Sequence, residues 1–132
     1  MINVYCDGGS RGNPGPAAYG FVVKVGGKTI KSKGGTLGIA TNNFAEYTAV
    51  IKALMWLSDN YERKDLNFFL DSQLAASQLS GIYKVKNARI RELVLKIKSL
   101  ETSFGQIKYT HIPREKNLEA DAMVNIALDE NI

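Results

Sequence analysis

At Thr41 the apolar residues change their period, and that change bounds the fold more tightly than any other feature of the chain. Upstream, Ile2, Val4 and Cys6 alternate with Asn3, Tyr5 and Asp7, the period of two that belongs to strands. AAYGFVVKV and KTIKSKGGTLGI follow, joined across Val25-Gly26-Gly27-Lys28, which predicts a hairpin. From Thr41 to Asn60, TNNFAEYTAVIKALMWLSDN has helical spacing, with Thr41, Asn42 or Asn43 available as the N-cap. LNFFLD, residues 66–71, has strand length, and DSQLAASQLSG reads as a short helix ending at Gly81. NARIRELVLKIKSLE places Ile90, Leu93, Val94 and Ile97 on one helical face. QIKYTHI alternates again, Pro113 breaks it, and Asn117 is expected to cap a last helix reaching the C-terminus. The order β-β-β-α-β-α-α-β-α is a meander followed by αβ units that extend the same sheet in parallel, a mixed α/β layer fold.

A chain of 132 residues is expected to form one domain over 1–132, large enough for a real core. Its 45% apolar and 23% charged residues are ordinary globular composition, and a formal charge of +4 permits an anionic partner without requiring one. No apolar run approaches the ~20 residues that span a bilayer, and the N-terminus lacks a signal-peptide layout. The single cysteine, Cys6, excludes an internal disulfide and fits a buried thiol in a reducing compartment, so a cytoplasmic location is expected.

The opening stretch, MINVYCDGGSRGNPGPAAYG, runs an apolar strand into Asp7 and then a loop with four glycines. A turn of two to five residues would connect two strands more cheaply, so the extra backbone is expected to lie close to a partner. Acidic residues away from solvated faces narrow that partner. Asp7 is expected to close the first strand and Asp71 the fourth, and ligands of open α/β sheets gather beyond such strand ends. Glu46 shares its helical direction with Val50, Ala53 and Leu57, in the middle of an apolar stripe. Asp121 repeats the pattern with Val124 and Leu128, and Asn125 beside them. A strand-end Asp alone is an ordinary turn residue, and an acid near a helix N-terminus alone compensates the dipole. Two carboxylates on core-facing stripes need a cation or a proton instead, and no Arg or Lys shares those stripes. All-oxygen donors select hard cations, so Mg²⁺ or Mn²⁺ is expected, and four carboxylates balance two such ions, the layout of two-metal phosphoryl chemistry.

YCDGGSRGNPGPAAYG, TNNFAEYTAVIKAL, LDSQL and NLEADAMVNIAL together resemble type 1 ribonuclease H, in order and spacing, over nearly the whole chain. The resemblance implies a five-stranded mixed sheet flanked by helices, three strands antiparallel and then parallel ones, and hydrolysis of the RNA strand of RNA–DNA hybrids. It places the family's acidic quartet on Asp7, Glu46, Asp71 and Asp121, holding two Mg²⁺ ions for which Mn²⁺ substitutes. It implies substrate contacts by Gly8, Gly9, Ser10, Arg11, Gly12 and Asn13, whose backbone would meet 2′-hydroxyls in the minor groove, and by Asn42, Asn43 and Gln73. Glu46 would accept a hydrogen bond from a 2′-hydroxyl, and products would carry 5′-phosphate and 3′-hydroxyl ends. An RNA–DNA hybrid is the implied partner; no membrane or protein partner is expected, and the protein is expected to be a monomer.

Two stretches depart from the better-studied bacterial pattern. Those enzymes insert a basic protrusion after the third acid, whereas GIYKVKNARI is compact, leaves Lys84 and Lys86 as the nearest basic residues, and resembles the short archaeal and Gram-positive variety. Those enzymes also carry a catalytic histidine in the loop before the last acid. Here the only histidine, His111, alternates in phase with Ile107 and Tyr109 and is expected to end a strand, leaving Arg114 in PREKN as its substitute. Resolvases, transposases and exonucleases share the fold, but GNPGP and TNN favour hybrid cleavage over these. Retention of all four acids argues against a non-catalytic hybrid-binding module. The initial Met and the length favour a stand-alone protein over a piece of a reverse transcriptase.

Overall fold

The strands β1 (Ile2–Ser10), β2 (Gly15–Val25), β3 (Lys28–Ala40), β4 (Leu66–Leu70) and β5 (Ile107–His111) form a five-stranded sheet in the order β3-β2-β1-β4-β5. The pairs β1/β2 and β2/β3 are antiparallel, and β1/β4 and β4/β5 are parallel. This is the mixed sheet that the sequence implies. The computed structural model describes residues 1–81 and 84–130, so Ile82 and Tyr83 of GIYKVKNARI and the last two residues of the expected terminal helix lie outside the described residues.

Among the described residues four α-helices flank the sheet: α1 (Asn42–Asn60), α2 (Gln73–Leu79), α3 (Ala88–Glu101) and α4 (Leu118–Glu130). Side chains cap three of them as local chemistry favours. Thr41 Oγ1 accepts from Phe44 N–H at 3.2 Å, Ser72 Oγ from Ala75 N–H at 3.1 Å, and Asn87 Oδ1 from Ile90 N–H at 3.0 Å. The even residues of β1, Ile2, Val4 and Cys6, join Phe68 and Leu70 of β4, Val50, Leu54 and Leu57 of α1, and Ile97 of α3 in the main core. Each fully buried Leu, Ile or Val there contributes about 1.5–3 kcal/mol relative to exposure, which sets the seat of α1 on the sheet. α4 packs against β2, β3 and β1.

Local details correct the sequence reading at β1 and at Asn117. β1 does not close at Asp7: Gly8, Gly9 and Ser10 stay in the ladder opposite Tyr19, Ala18 and Ala17, and the loop proper is only residues 11–14. The glycine at position 8 serves packing rather than loop length. A Cβ on Gly8 would stand 2.2 Å from the carbonyl carbon of Ala45, and one on Gly20 would stand 2.6 Å from the Ala120 carbonyl oxygen. These two bare positions let α1 and α4 approach the sheet, and each helix carries one of the singled-out acids within two residues of its contact. The second correction is Asn117, whose side chain does not cap α4. Its amide turns inward, and PREKN folds into a 3₁₀ turn, Arg114–Lys116, in which Lys116 N–H reaches Pro113 O at 3.0 Å.

Candidate active site

Asp7 lies on β1 one residue past the Cys6–Leu70 pair, and Asp71 follows Leu70 directly, so the two acids sit side by side on adjacent parallel strands. Glu46 comes from the first turns of α1 and Asp121 from the first turn of α4. All four line one cleft of about 370 Å³, together with Gly8, Gly9, Ser10, Arg11, Asn42, Arg114 and Asn125. Residues as far apart in sequence as Asp7 and Asp121 meet there because the parallel β1/β4 pair and the two helix N-termini open on the same end of the sheet.

The cleft is hostile to so much negative charge. Asp7 is only 9% exposed. Burial, then the charge of Asp71 and the hydrogen-bonding, charged carboxyl of Asp121, push its pKa up to about 8, against a smaller opposing contribution from the Gly8 backbone. Burial likewise raises Glu46 to about 7, with Ser72 lowering it, Asp71 raising it and the Arg114 guanidinium lowering it. Glu46 Oε2 is buried without a hydrogen-bond partner. Among the described residues the ion pairs are Arg11–Asp129, Lys24–Glu119 and Lys98–Glu101, and none uses the four acids.

Crowded carboxylates with an orphaned oxygen, none of them in an ion pair among the described residues, could hold a hard divalent cation. Among the described residues they do not close into a compact group of three or more ligating side chains.

The residues expected to touch substrate surround this cleft unevenly. Gly12 takes a φ of 96°, open to glycine and costly for other residues. Asn13 Oδ1 accepts from Asn42 N–H at 3.0 Å, and Asn42 Oδ1 accepts from Ser10 N–H at 2.8 Å, so the loop is tied to the start of α1. Asn13, Asn42 and Asn43 line a second cavity of about 610 Å³ with Thr41, Phe44, Asn87 and Arg89; it adjoins the cleft through Glu46 and Asn42. The Arg11 guanidinium is paired with Asp129 of α4. Gln73 is exposed at the first position of α2 and lines neither cavity. Lys84 and Lys86 are exposed. His111 ends β5, as its alternation predicts, and lies outside the cleft that Arg114 lines.

Three residues beside the acids escape a reading of periodicity. Ser72, legible as a cap, also stands against Glu46. Arg89 lies over the Phe44 ring at 4.4 Å and, among the described residues, is the one cation lining the second cavity. Asn117 Nδ2 donates to Cys6 O at 2.9 Å and to Asp71 Oδ2 at 3.0 Å. Its spacing four residues before Asp121 was the available signal, but a capping Asn carries the same spacing.

A family model described as reverse transcriptase-like matches residues 5–127. A ribonuclease HI of Halobacterium salinarum is 43% identical over 98% of this chain. A ribonuclease H of Chromohalobacter salexigens is 31% identical, with 98% of this chain covering 85% of that protein. The crystal structure of LC11-RNase H1 in complex with RNA/DNA hybrid superposes with a TM-score of 0.94 at 38% identity, over 98% of both chains. The chain spans 65% of the length of the Halobacterium relative and 35% of that of a bifunctional Mycobacterium tuberculosis relative. With its sheet order, its four acids at one sheet end and these matches along nearly its full length, the chain belongs to the type 1 ribonuclease H family.

Proposed function

We propose that this protein is an endoribonuclease that hydrolyses the RNA strand of RNA–DNA hybrids through a single ribonuclease H domain over residues 1–132. The observation that carries the reading is the convergence of Asp7, Glu46, Asp71 and Asp121 on one cleft beside the Asn13–Asn42 lock. A solved neighbour of the same fold holds an RNA/DNA hybrid, which supports the same substrate class here. Asp7, Glu46, Asp71 and Asp121 would hold two Mg²⁺ ions, with Mn²⁺ as a substitute. Bound there, the ions supply a water nucleophile at neutral pH and neutralise charge on the leaving 3′ oxygen.

The protein's own part is placement. Asp7 and Asp71 hold the charge centre at the sheet end, and Glu46, with its unpartnered Oε2, accepts from a 2′-hydroxyl of the RNA strand. Backbone groups of Gly8 to Asn13 and the side chains of Asn42, Asn43 and Gln73 meet the duplex, the 2′-hydroxyl separating RNA from DNA. Arg114 offers a cation to a phosphate at the cleft mouth. Products carry 5′-phosphate and 3′-hydroxyl ends. All four acids come from one chain, so a monomer suffices, and the free buried Cys6 fits the cytoplasm. Among the described residues no helix is long and apolar enough to cross a membrane.

The deciding assay incubates labelled hybrid, double-stranded RNA, double-stranded DNA and single-stranded RNA with Mg²⁺, Mn²⁺ or EDTA. Cleavage of the hybrid alone, abolished by EDTA, is the expected result; EDTA-resistant cleavage or a preference for single-stranded RNA would overturn the reading. Within duplex DNA, a run of about four ribonucleotides should be cut well and an isolated one poorly, because each hydroxyl missing from a contacted position leaves a polar group unpaired at roughly 1–3 kcal/mol.

Arg114 and His111 are separable by the same assay. Arg114→Ala should lower kcat by about 10-fold, since its guanidinium lines the cleft and acts on Glu46. His111→Ala should leave kcat near wild type and cost some stability at the end of β5. The reverse ranking at equal folded fraction would give the histidine the proton-carrying role.

A further inference from the structure

Asn117 is 1% exposed, among the most buried polar side chains described, and although its backbone stands between the 3₁₀ turn and α4, its side chain caps neither. Its Nδ2 spends both protons on the site: one bond goes to the carbonyl of Cys6, the residue before Asp7, and the other to Asp71 Oδ2. Its own carbonyl receives Asp121 N–H at 3.1 Å. One residue therefore touches the backbone beside one acid, the carboxylate of a second, and the backbone of a third.

We infer that Asn117 is a positioning residue for the carboxylate quartet, fixing the rotamer of Asp71 and the spacing of Asp7 and Asp121 so that their oxygens face one cation site. The inference rests on the hybrid-cleaving reading for its effect on turnover, and on geometry alone for its effect on metal binding. The chemistry explains why an amide stands here. Only a neutral group that donates two hydrogen bonds can bridge a carbonyl and a carboxylate without adding charge. An aspartate would face Asp71 acceptor to acceptor and add a fifth negative charge. A serine is too short and has one proton to give. The Oδ1 of Asn117 is buried with no partner, so the side chain is held by its donors, and those donors point at the site. Outer partners that orient ligating groups are worth about 10–100-fold in metal affinity or activity.

Two measurements test it. In the wild-type protein, selective asparagine ¹⁵N labelling should show one slowly exchanging side-chain amide, absent in Asn117→Ala, whose shift moves when Mg²⁺ is titrated in. A signal indifferent to Mg²⁺ overturns the inference; the variant serves only to assign the signal, and the titration itself is read on the wild-type protein. In Asn117→Ala, Mn²⁺ affinity of the free protein, followed by water-proton relaxation, should fall about 10-fold or more. On hybrid, kcat should fall by a similar factor while KM stays within about twofold, a split that general loosening of the fold would not give. Equal Mn²⁺ affinity and kcat at equal folded fraction overturn the inference while leaving hybrid cleavage intact. Failure of the wild type to cut any hybrid sinks the functional reading instead, and leaves the amide shift and Mn²⁺ affinity to decide the role of Asn117.

Discussion

Asp7→Asn should abolish hybrid cleavage, by ~1,000-fold or more, and should raise the stability of the metal-free protein above neutral pH. The first effect follows from losing a charged oxygen donor at the centre of the quartet; a 1,000-fold loss corresponds to about 4 kcal/mol of transition-state stabilisation. The second follows from linkage. Burial and the neighbouring acids raise Asp7 to about 8 and Glu46 to about 7 in the folded protein, against ordinary values near 4. The folded state then binds more protons than the unfolded state, so ν_U − ν_N is negative and stability falls with rising pH. The contribution of these two groups is fully present below pH ~4 and is lost as pH rises through about 7 and 8. An amide at position 7 does not titrate, so the variant escapes the Asp7 share of that loss, on the order of a few kcal/mol. Urea unfolding in EDTA from pH 5 to pH 9 measures it: the stability gain of Asp7→Asn over wild type should grow with pH. A pH-independent difference would mean that Asp7 is not buried among like charges, and wild-type turnover would remove it from the site. In wild type, Mg²⁺ should raise Tm more at pH 9 than at pH 5.

Gly8→Ala carries the other large effect, because it strikes fold and site at once. The new methyl would meet the backbone of Ala45 and Glu46 at 2.2–2.4 Å, and a helix backbone cannot swing aside as the tip of a flexible side chain can. α1 has to lift from β1, an overpacking cost of about 1–3 kcal/mol or more. The lift carries Glu46 away from Asp7. A displacement of about 1 Å at a positioned group costs on the order of 100-fold in rate, so kcat should fall by that much even in the fraction that stays folded. Thermal unfolding and single-turnover cleavage of hybrid measure the two together. Wild-type stability would show that the helix–strand spacing is softer than the packing implies. Unchanged kcat in a destabilised variant would separate Glu46 from the chemistry.

The period of the apolar residues carried the fold, since a period of two and one of 3.6 are set by strand and helix geometry alone and survive any packing. Ile2, Val4 and Cys6 in β1, Val50 and Leu57 in α1, and Ile90 and Ile97 in α3 are buried where that pattern puts them. The four acids were legible for a related reason: a carboxylate in phase with an apolar stripe contradicts its surroundings, and Glu46 and Asp121 contradict theirs within a single helix turn. Strand ends and side-chain directions were not legible in this way. Gly8 and Gly9 look like loop residues because glycine has no local preference for a strand, yet α1 needs the space above Gly8. Asn117 has the local chemistry of a cap, and nothing local distinguishes a cap from an inward-turned amide. Only when the β1/β4 pair brings Cys6 O and Asp71 within reach does its side chain find better acceptors than a helix N–H offers donors. The sequence by itself determined which residues are apolar, acidic and periodic, because those are properties of single residues and their spacing. Tertiary structure decided which polar groups face each other, because a hydrogen bond between residues 46 positions apart, as between Asp71 and Asn117, exists only after the sheet has closed the distance.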